Sequence, residues 1–121
     1  MIIRIIAPAI ITAALVTGAA MGAPAPQGDP VKGKANVLKY GCYTCHGYQG
    51  QGAGATGKKL APNPLPYPAF SAFVRSTSRD MPPFTEKVMP EQDLMDIHAY
   101  FKSIPASPNP ANIPLLKDIG G

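Results

Sequence analysis

Proline and glycine fall in blocks along this chain, and the blocks leave only short windows in which regular structure can form. There are 15 prolines and 12 glycines among 121 residues, close to the range where loop-dominated structure becomes the rule. From Gly47 to Pro68 the chain reads as loop. Gly50, Gly52, Gly54 and Gly57 make its first half pliable, and Pro62, Pro64, Pro66 and Pro68 make its second half extended. A second loop, Arg79 to Met89, is stiffened by Pro82-Pro83. Three helical windows remain. Asp29-Pro30 supplies an N-cap and a first-turn proline for a helix that runs to Tyr40 and is stopped by Gly41. Val31, Ala35 and Leu38 form its expected apolar stripe, with Val37 beside it. Pro68 suits the first turn of a short helix from Ala69 to Arg75, carrying Phe70, Phe73 and Val74. Pro90 opens and Pro105 closes the clearest helix. There Glu91 and Asp93 sit at the positive end, and Leu94, Ile97, Phe101 and Ile104 recur at three- and four-residue steps. No segment alternates as a strand does for more than a few residues. The predicted class is all-α, three to four helices joined by long loops.

Such a chain makes one domain and is short of core for it. Two cysteines cannot supply a multi-disulfide scaffold instead. Part of the apolar content also belongs elsewhere. Residues 1–23 carry Arg4, the apolar run Ile5 to Val16, and the small residues Thr17 to Ala20, which are the parts of a secretory signal peptide. Ala20, Ala23 and Ala25 each fit a cleavage site. Left uncleaved, the 17 uncharged residues Ile5 to Met21 would be a short membrane anchor with Pro8 inside it. Residues 24–28 read as a flexible spacer. Without Arg4, ten of the 11 basic residues face seven acids, a net of +3. That mild charge, with no basic run, gives no sign of nucleic-acid binding.

The two cysteines stand together in Cys42-Tyr43-Thr44-Cys45-His46, the Cys-x-x-Cys-His pattern of c-type haem attachment. Two thiols three positions apart on one turn can each form a thioether with the two vinyl groups along one haem edge. The next residue then lies under the ring, where its imidazole can bind iron. Competing readings fare worse. A thioredoxin-like pair needs a βαβ context, which is missing. Tetrahedral zinc needs four ligands at a different spacing. A disulfide over so short a loop is strained. One haem c, covalent through Cys42 and Cys45, also supplies the missing core as a large apolar plate.

The ligand opposite His46 has four candidates: Met81, Met89, Met95 and His98. Met95 and His98 flank the stripe of the last helix, where packing or surface roles are commoner. Met81 and Met89 are both followed by proline. Met89 abuts the last helix and can cap its core. Met81 lies in the loop held by Pro82-Pro83, from which its sulfur can reach across a haem, and is the leading candidate. With both axial positions filled by protein the iron has no vacancy for substrate, and electron transfer is its use. An open or displaceable sixth position would instead make a haem enzyme or ligand sensor. Asp80 and Glu86 lack partners as general acid or base and read as surface charges.

On these residues Asp29 to Pro105 resembles a bacterial class I monohaem cytochrome c. The matching pieces are Gly33-Lys34, Gly41-Cys-Tyr-Thr-Cys-His-Gly47, Met81-Pro-Pro-Phe84 and Asp96-Ile-His-Ala-Tyr-Phe101. The resemblance implies a cytochrome c domain over 29–105, with first and last helices crossing closely at Gly33 and Tyr100. It implies His46 and Met81 as axial ligands. Two positions depart from the pattern. Val37 stands where an aromatic residue is frequent, leaving Tyr40 to cover that space. Lys58 replaces the proline of Gly-Pro-x-Leu in Gly57-Lys58-Lys59-Leu60, and that residue's carbonyl usually accepts the proximal histidine's N–H. A lysine carbonyl can take the same bond less rigidly.

The chain is also similar to small cytochrome subunits of flavocytochrome-type and alcohol dehydrogenases. This implies a periplasmic carrier or bound subunit, with a dehydrogenase as donor and an oxidase or another cytochrome as acceptor. Membrane contact follows only if the N-terminal segment is retained. Residues 106–121 form a proline-rich extension whose Ile113, Leu115, Leu116 and Ile119 are more apolar than a solvated tail needs. They either wrap back on the domain or dock on another protein.

Overall fold

A computed structural model describes residues 27–117. The signal-peptide reading of 1–23 and the last four residues of the extension lie outside the described residues. Among these residues there are helices and no strand. In chain order they are α1 (Pro30–Lys39), α2 (Tyr43–His46), α3 (Tyr67–Ser76), α4 (Glu91–Ser103), a 3-10 turn (Pro110–Asn112) and α5 (Pro114–Lys117).

Local chemistry sets the helix ends. The Asp29 carboxylate accepts from the backbone N–H of Val31 at 2.8 Å and of Lys32 at 3.3 Å, which meets two of the free donors at the start of α1. At its other end the chain turns through Gly41, whose φ of 72° is a left-handed conformation that favours glycine. The short helix begins two residues earlier than the sequence suggests, with Pro66 as its cap and Pro68 in its first turn. α4 follows Pro90 directly and ends at Ile104, before Pro105.

The core joins α1 to α4, with α3 laid more lightly against α4. Val37, Leu94, Ile97 and Phe101 are almost wholly buried, joined by Phe70, Val74, Met89 and Tyr100. Gly33 lets the helices meet: a Cβ there would stand 1.9 Å from the Asp96 carbonyl oxygen and 2.7 Å from the Tyr100 Cβ. The expected stripe on α1 is therefore the wrong face. Val31 is 79% exposed and Leu38 48%, while Gly33, Asn36 and Val37 are buried. Close approach selects the small residue, and the side chains flanking it are buried whatever their polarity. Val37 itself is buried against α4, and Tyr40, packed at the edge of the core, has a further task.

That task is polar. The Tyr40 hydroxyl donates to Asp93 Oδ2 at 2.5 Å, and Lys39 Nζ reaches the same oxygen at 2.9 Å. The hydroxyl, then the ammonium, hold the Asp93 carboxyl below its ordinary value of 3.8. A carboxylate with a depressed folded pKa stabilises above its unfolded value and loses that contribution as pH falls through the folded one. Tyr40→Phe is therefore expected to cost about 1 kcal/mol at neutral pH, less than a shielded hydrogen bond to a charge because solvent reaches Asp93. In denaturant unfolding across pH, the gap to the wild type should close below Asp93's ordinary value. A gap that persists in acid would show that the hydroxyl acts through something other than the carboxylate.

The first turn of α1 is tied to α4 by Asp96, which is 2% exposed. Its Oδ1 accepts from the Asp29 backbone N–H and from Gln92 Nε2, each at 2.8 Å. The part of the extension described here folds on itself. α5 packs chiefly against the 3-10 turn, and Leu115 and Leu116 remain exposed at 79% and 42%.

Candidate functional site

The Cys-x-x-Cys-His sequence forms α2, a single turn entered through Gly41 and left through Gly47. Its backbone is closed by His46 N–H to the Cys42 carbonyl at 3.0 Å and Gly47 N–H to the Tyr43 carbonyl at 2.9 Å. The turn therefore carries Cys42, Cys45 and His46 on one rigid piece of backbone. No disulfide joins the two cysteines; Cys42 is half-buried and Cys45 exposed. Burial pushes the Cys42 thiol up to about 11.

The long loop after α2 folds back over it. Gly52 N–H donates to the His46 carbonyl at 2.8 Å, and the N–H groups of Leu60 and Ala61 donate to the Gly50 carbonyl at 2.7 and 3.0 Å. Gly57 lies so close that a Cβ there would stand 2.1 Å from the Cys45 carbonyl oxygen. This close seating brings the next residue to the histidine: His46 Nδ1 lies 2.7 Å from the Lys58 carbonyl oxygen. A carbonyl only accepts, so Nδ1 carries a proton, and in the neutral ring this leaves the lone pair on Nε2. The contact that the proline-to-lysine departure put in question is thus made by this chain's own backbone.

The candidates opposite His46 separate by burial and engagement. Met89 is 1% exposed and belongs to the core between the helices. His98 Nε2 lies 2.8 Å from the Leu65 carbonyl oxygen, and its ring packs on Tyr67 and Phe70 at centroid distances of 5.4 and 5.2 Å. Met95 is half-buried on α4, its carbonyl beside Gly28. Met81 is half-buried in the loop between α3 and α4 and packs against the edge of the core.

Arg75, which the sequence reading passed over, organises that loop. Its Nη1 donates to the carbonyls of Phe84 at 2.9 Å and Met89 at 2.6 Å, and its Nη2 pairs with Glu91 Oε2 at 2.8 Å. Glu91 also accepts from the Tyr67 hydroxyl at 2.5 Å. That hydroxyl and then the guanidinium hold the Glu91 carboxyl below its ordinary range. An arginine abutting the Phe70–Val74 stripe was the available sign.

The residues fit a haem c. Paired thiols sit on one turn with an imidazole whose free nitrogen is Nε2, and a half-buried thioether stands in a proline-braced loop. The zinc reading has no ligand set, since no three His, Cys, Asp or Glu side chains gather among the described residues. Likewise, no helix among them is long and apolar enough to cross a membrane.

No curated protein and no solved structure matches the chain. The family model described as "Cytochrome C oxidase, cbb3-type, subunit III" matches residues 28–101, which span all of α1, α2 and α3 and most of α4. With its all-α fold and its Cys-x-x-Cys-His turn, the chain belongs to this family of c-type cytochrome domains, which bind haem c covalently and serve haem-based electron transfer.

Proposed function

We propose that the chain is a periplasmic electron-transfer protein in which Cys42 and Cys45 hold one haem c, with His46 and Met81 as axial ligands. The observation that carries this reading is the His46 Nδ1 contact with the Lys58 carbonyl at 2.7 Å, which orients the ring and leaves Nε2 as its ligating atom. When bound, the haem supplies a one-electron iron couple whose potential a thioether ligand raises. The chain's own part is to hold the imidazole and the thioether still, so that little reorganisation accompanies the change of charge. Gly57 and Lys58 do this on one side, and the Pro82-Pro83 loop does it on the other.

The donor on this reading is a periplasmic dehydrogenase, and the acceptor is an oxidase or another cytochrome. Residues 29–105 form the haem domain and 1–23 the export signal. The exposed Leu115 and Leu116 favour a bound subunit over a free carrier, with 106–121 as its docking extension. Purification from native periplasm should recover the red protein with a dehydrogenase. A monomer that never travels with an enzyme would count against the subunit.

Ligation has its own test. The ferric protein should show the far-red sulfur-to-iron absorption band, and Met81→Ala should abolish it. Its midpoint potential should fall by on the order of 0.1 V, a modest part of the roughly 0.8 V that axial ligands span. A band that survives Met81→Ala would give the position to another residue.

A further inference from the structure

The geometry points to Arg75 as a positioning residue that keeps the Met81 thioether on the iron, an inference that rests on the ligand assignment proposed above. The loop from Thr77 to Pro90 contains no helix, and few of its backbone bonds leave it. Phe84 N–H donates to the Val74 carbonyl at 2.9 Å, while the N–H groups of Val88 and Met89 turn back to Thr85 inside the loop. Pro82 and Pro83 have no N–H to offer. Thr77 N–H donates to the Phe73 carbonyl at 2.9 Å where α3 ends, and Met81, Phe84 and Met89 pack on the core; the remaining hydrogen bonds from α3 to this loop come from one guanidinium. Arg75 Nη1 holds the Phe84 carbonyl near Met81 and the Met89 carbonyl at the loop's far end, and Nη2 holds Glu91 at the start of α4.

Two features make this a strap on Met81 and not general support. The Arg75 side chain is only 16% exposed, so its bonds to carbonyls are shielded from water. Between the anchored Phe84 and Met81 stand only Pro82 and Pro83, whose fixed φ passes the position of one to the other. A planar fork that serves two carbonyls and a carboxylate together also has no lysine equivalent. The Arg75 Nε is itself buried without a partner. The head group is thus held by its three bonds and not by full satisfaction of the side chain.

The test reads how often Met81 leaves the iron. Imidazole added to the full ferric protein can bind only when the thioether is displaced, so its apparent affinity scales with the open fraction. Losing all three charge-assisted hydrogen bonds in Arg75→Met, two of them to the loop's carbonyls, should tighten imidazole binding at least about tenfold. The far-red band should weaken and the midpoint potential fall, with far-ultraviolet helicity retained. Arg75→Lys, which keeps the charge but not the fork, should tighten it by about threefold. It supplies the readout should Arg75→Met yield no coloured protein. Glu91→Gln, which leaves both carbonyl bonds in place, should stay within about twofold of the wild type. Imidazole affinity and potential unchanged in Arg75→Met, or in Arg75→Lys where only that variant folds, would overturn the inference. An effect of Glu91→Gln as large as that of Arg75→Met would do the same, by moving the cause to the ion pair. The ligand assignment fails separately, if the band survives Met81→Ala.

Discussion

Gly33→Val is expected to abolish the folded haem domain, and Gly33→Ala to cost about 3 kcal/mol, the upper part of the usual range for overpacking. The obstruction is backbone, not a side chain that can turn away. A Cβ at this position would stand 1.9 Å from the Asp96 carbonyl oxygen and 2.5 Å from its carbon. α1 would have to withdraw from α4, uncovering Val37, Leu94, Ile97 and Phe101, each now 1% exposed. It would also stretch the Asp29 N–H bond to Asp96, now 2.8 Å. Valine adds two more carbons at the crossing and should cost about 5 kcal/mol or more, comparable with the entire stability of a small domain. The control is Lys34→Val, one residue along on an exposed position, which should cost less than about 1 kcal/mol because only helix propensity changes. Denaturant unfolding of the haem protein measures the alanine variant, and yield of red protein reports the valine one. Gly33→Ala unfolding at the wild-type midpoint would mean that the two helices do not meet as described.

What the sequence made legible followed from local chemistry. Asp29-Pro30, Gly41, Pro90 and Pro105 punctuate the chain, and the α1 and α4 boundaries fall within a residue or so of them. The attachment turn was legible because covalent chemistry sets the spacing of Cys42, Cys45 and His46. Hydropathy alone misplaced the buried face of α1, pointing to Val31 and Leu38; the family pattern had Gly33 meeting Tyr100, and contact with α4 buries Gly33, Asn36 and Val37. Only the partner helix decides that. The Lys58 carbonyl was legible only through the family pattern, since a backbone acceptor has no residue identity; what the pattern did not give is the close seating that Gly57, with no side chain, allows the loop. Met81 and Met89 both precede proline, and the reading of Met89 as a cap on the core of the last helix agrees with its 1% exposure. Asp96 marks a limit. Its place in the family pattern says nothing of burial, which comes from α1 laid across it.

Replacing both Cys42 and Cys45 by alanine should give a colourless chain that has lost more than about half of its helical far-ultraviolet signal and shows no cooperative thermal transition, as small holo-folded domains do without their cofactor. The reason lies in how little core the side chains make. Among the described residues the buried apolar set is Val37, Ala61, Phe70, Val74, Met89, Leu94, Ile97, Tyr100 and Phe101, and several of these lie at the α1–α4 crossing. Meanwhile Leu38, Tyr48, Leu65, Phe73 and Val88 stand 48–62% exposed. The loops 47–66 and 77–90 contain no helix, so their ordering is opposed by full backbone entropy with few internal bonds in return. A domain of this size is marginal even when its core is complete. A covalently held haem changes both sides of that balance. It is apolar surface for the half-buried side chains to cover, and the tether keeps its effective concentration high, so the folded state is favoured as by a saturating ligand. Cys45→Ala alone, which leaves one thioether and the His46–Lys58 contact, should remain red and cooperative with a lower midpoint. A double variant that melts cooperatively near the wild-type temperature would show that the protein core suffices by itself.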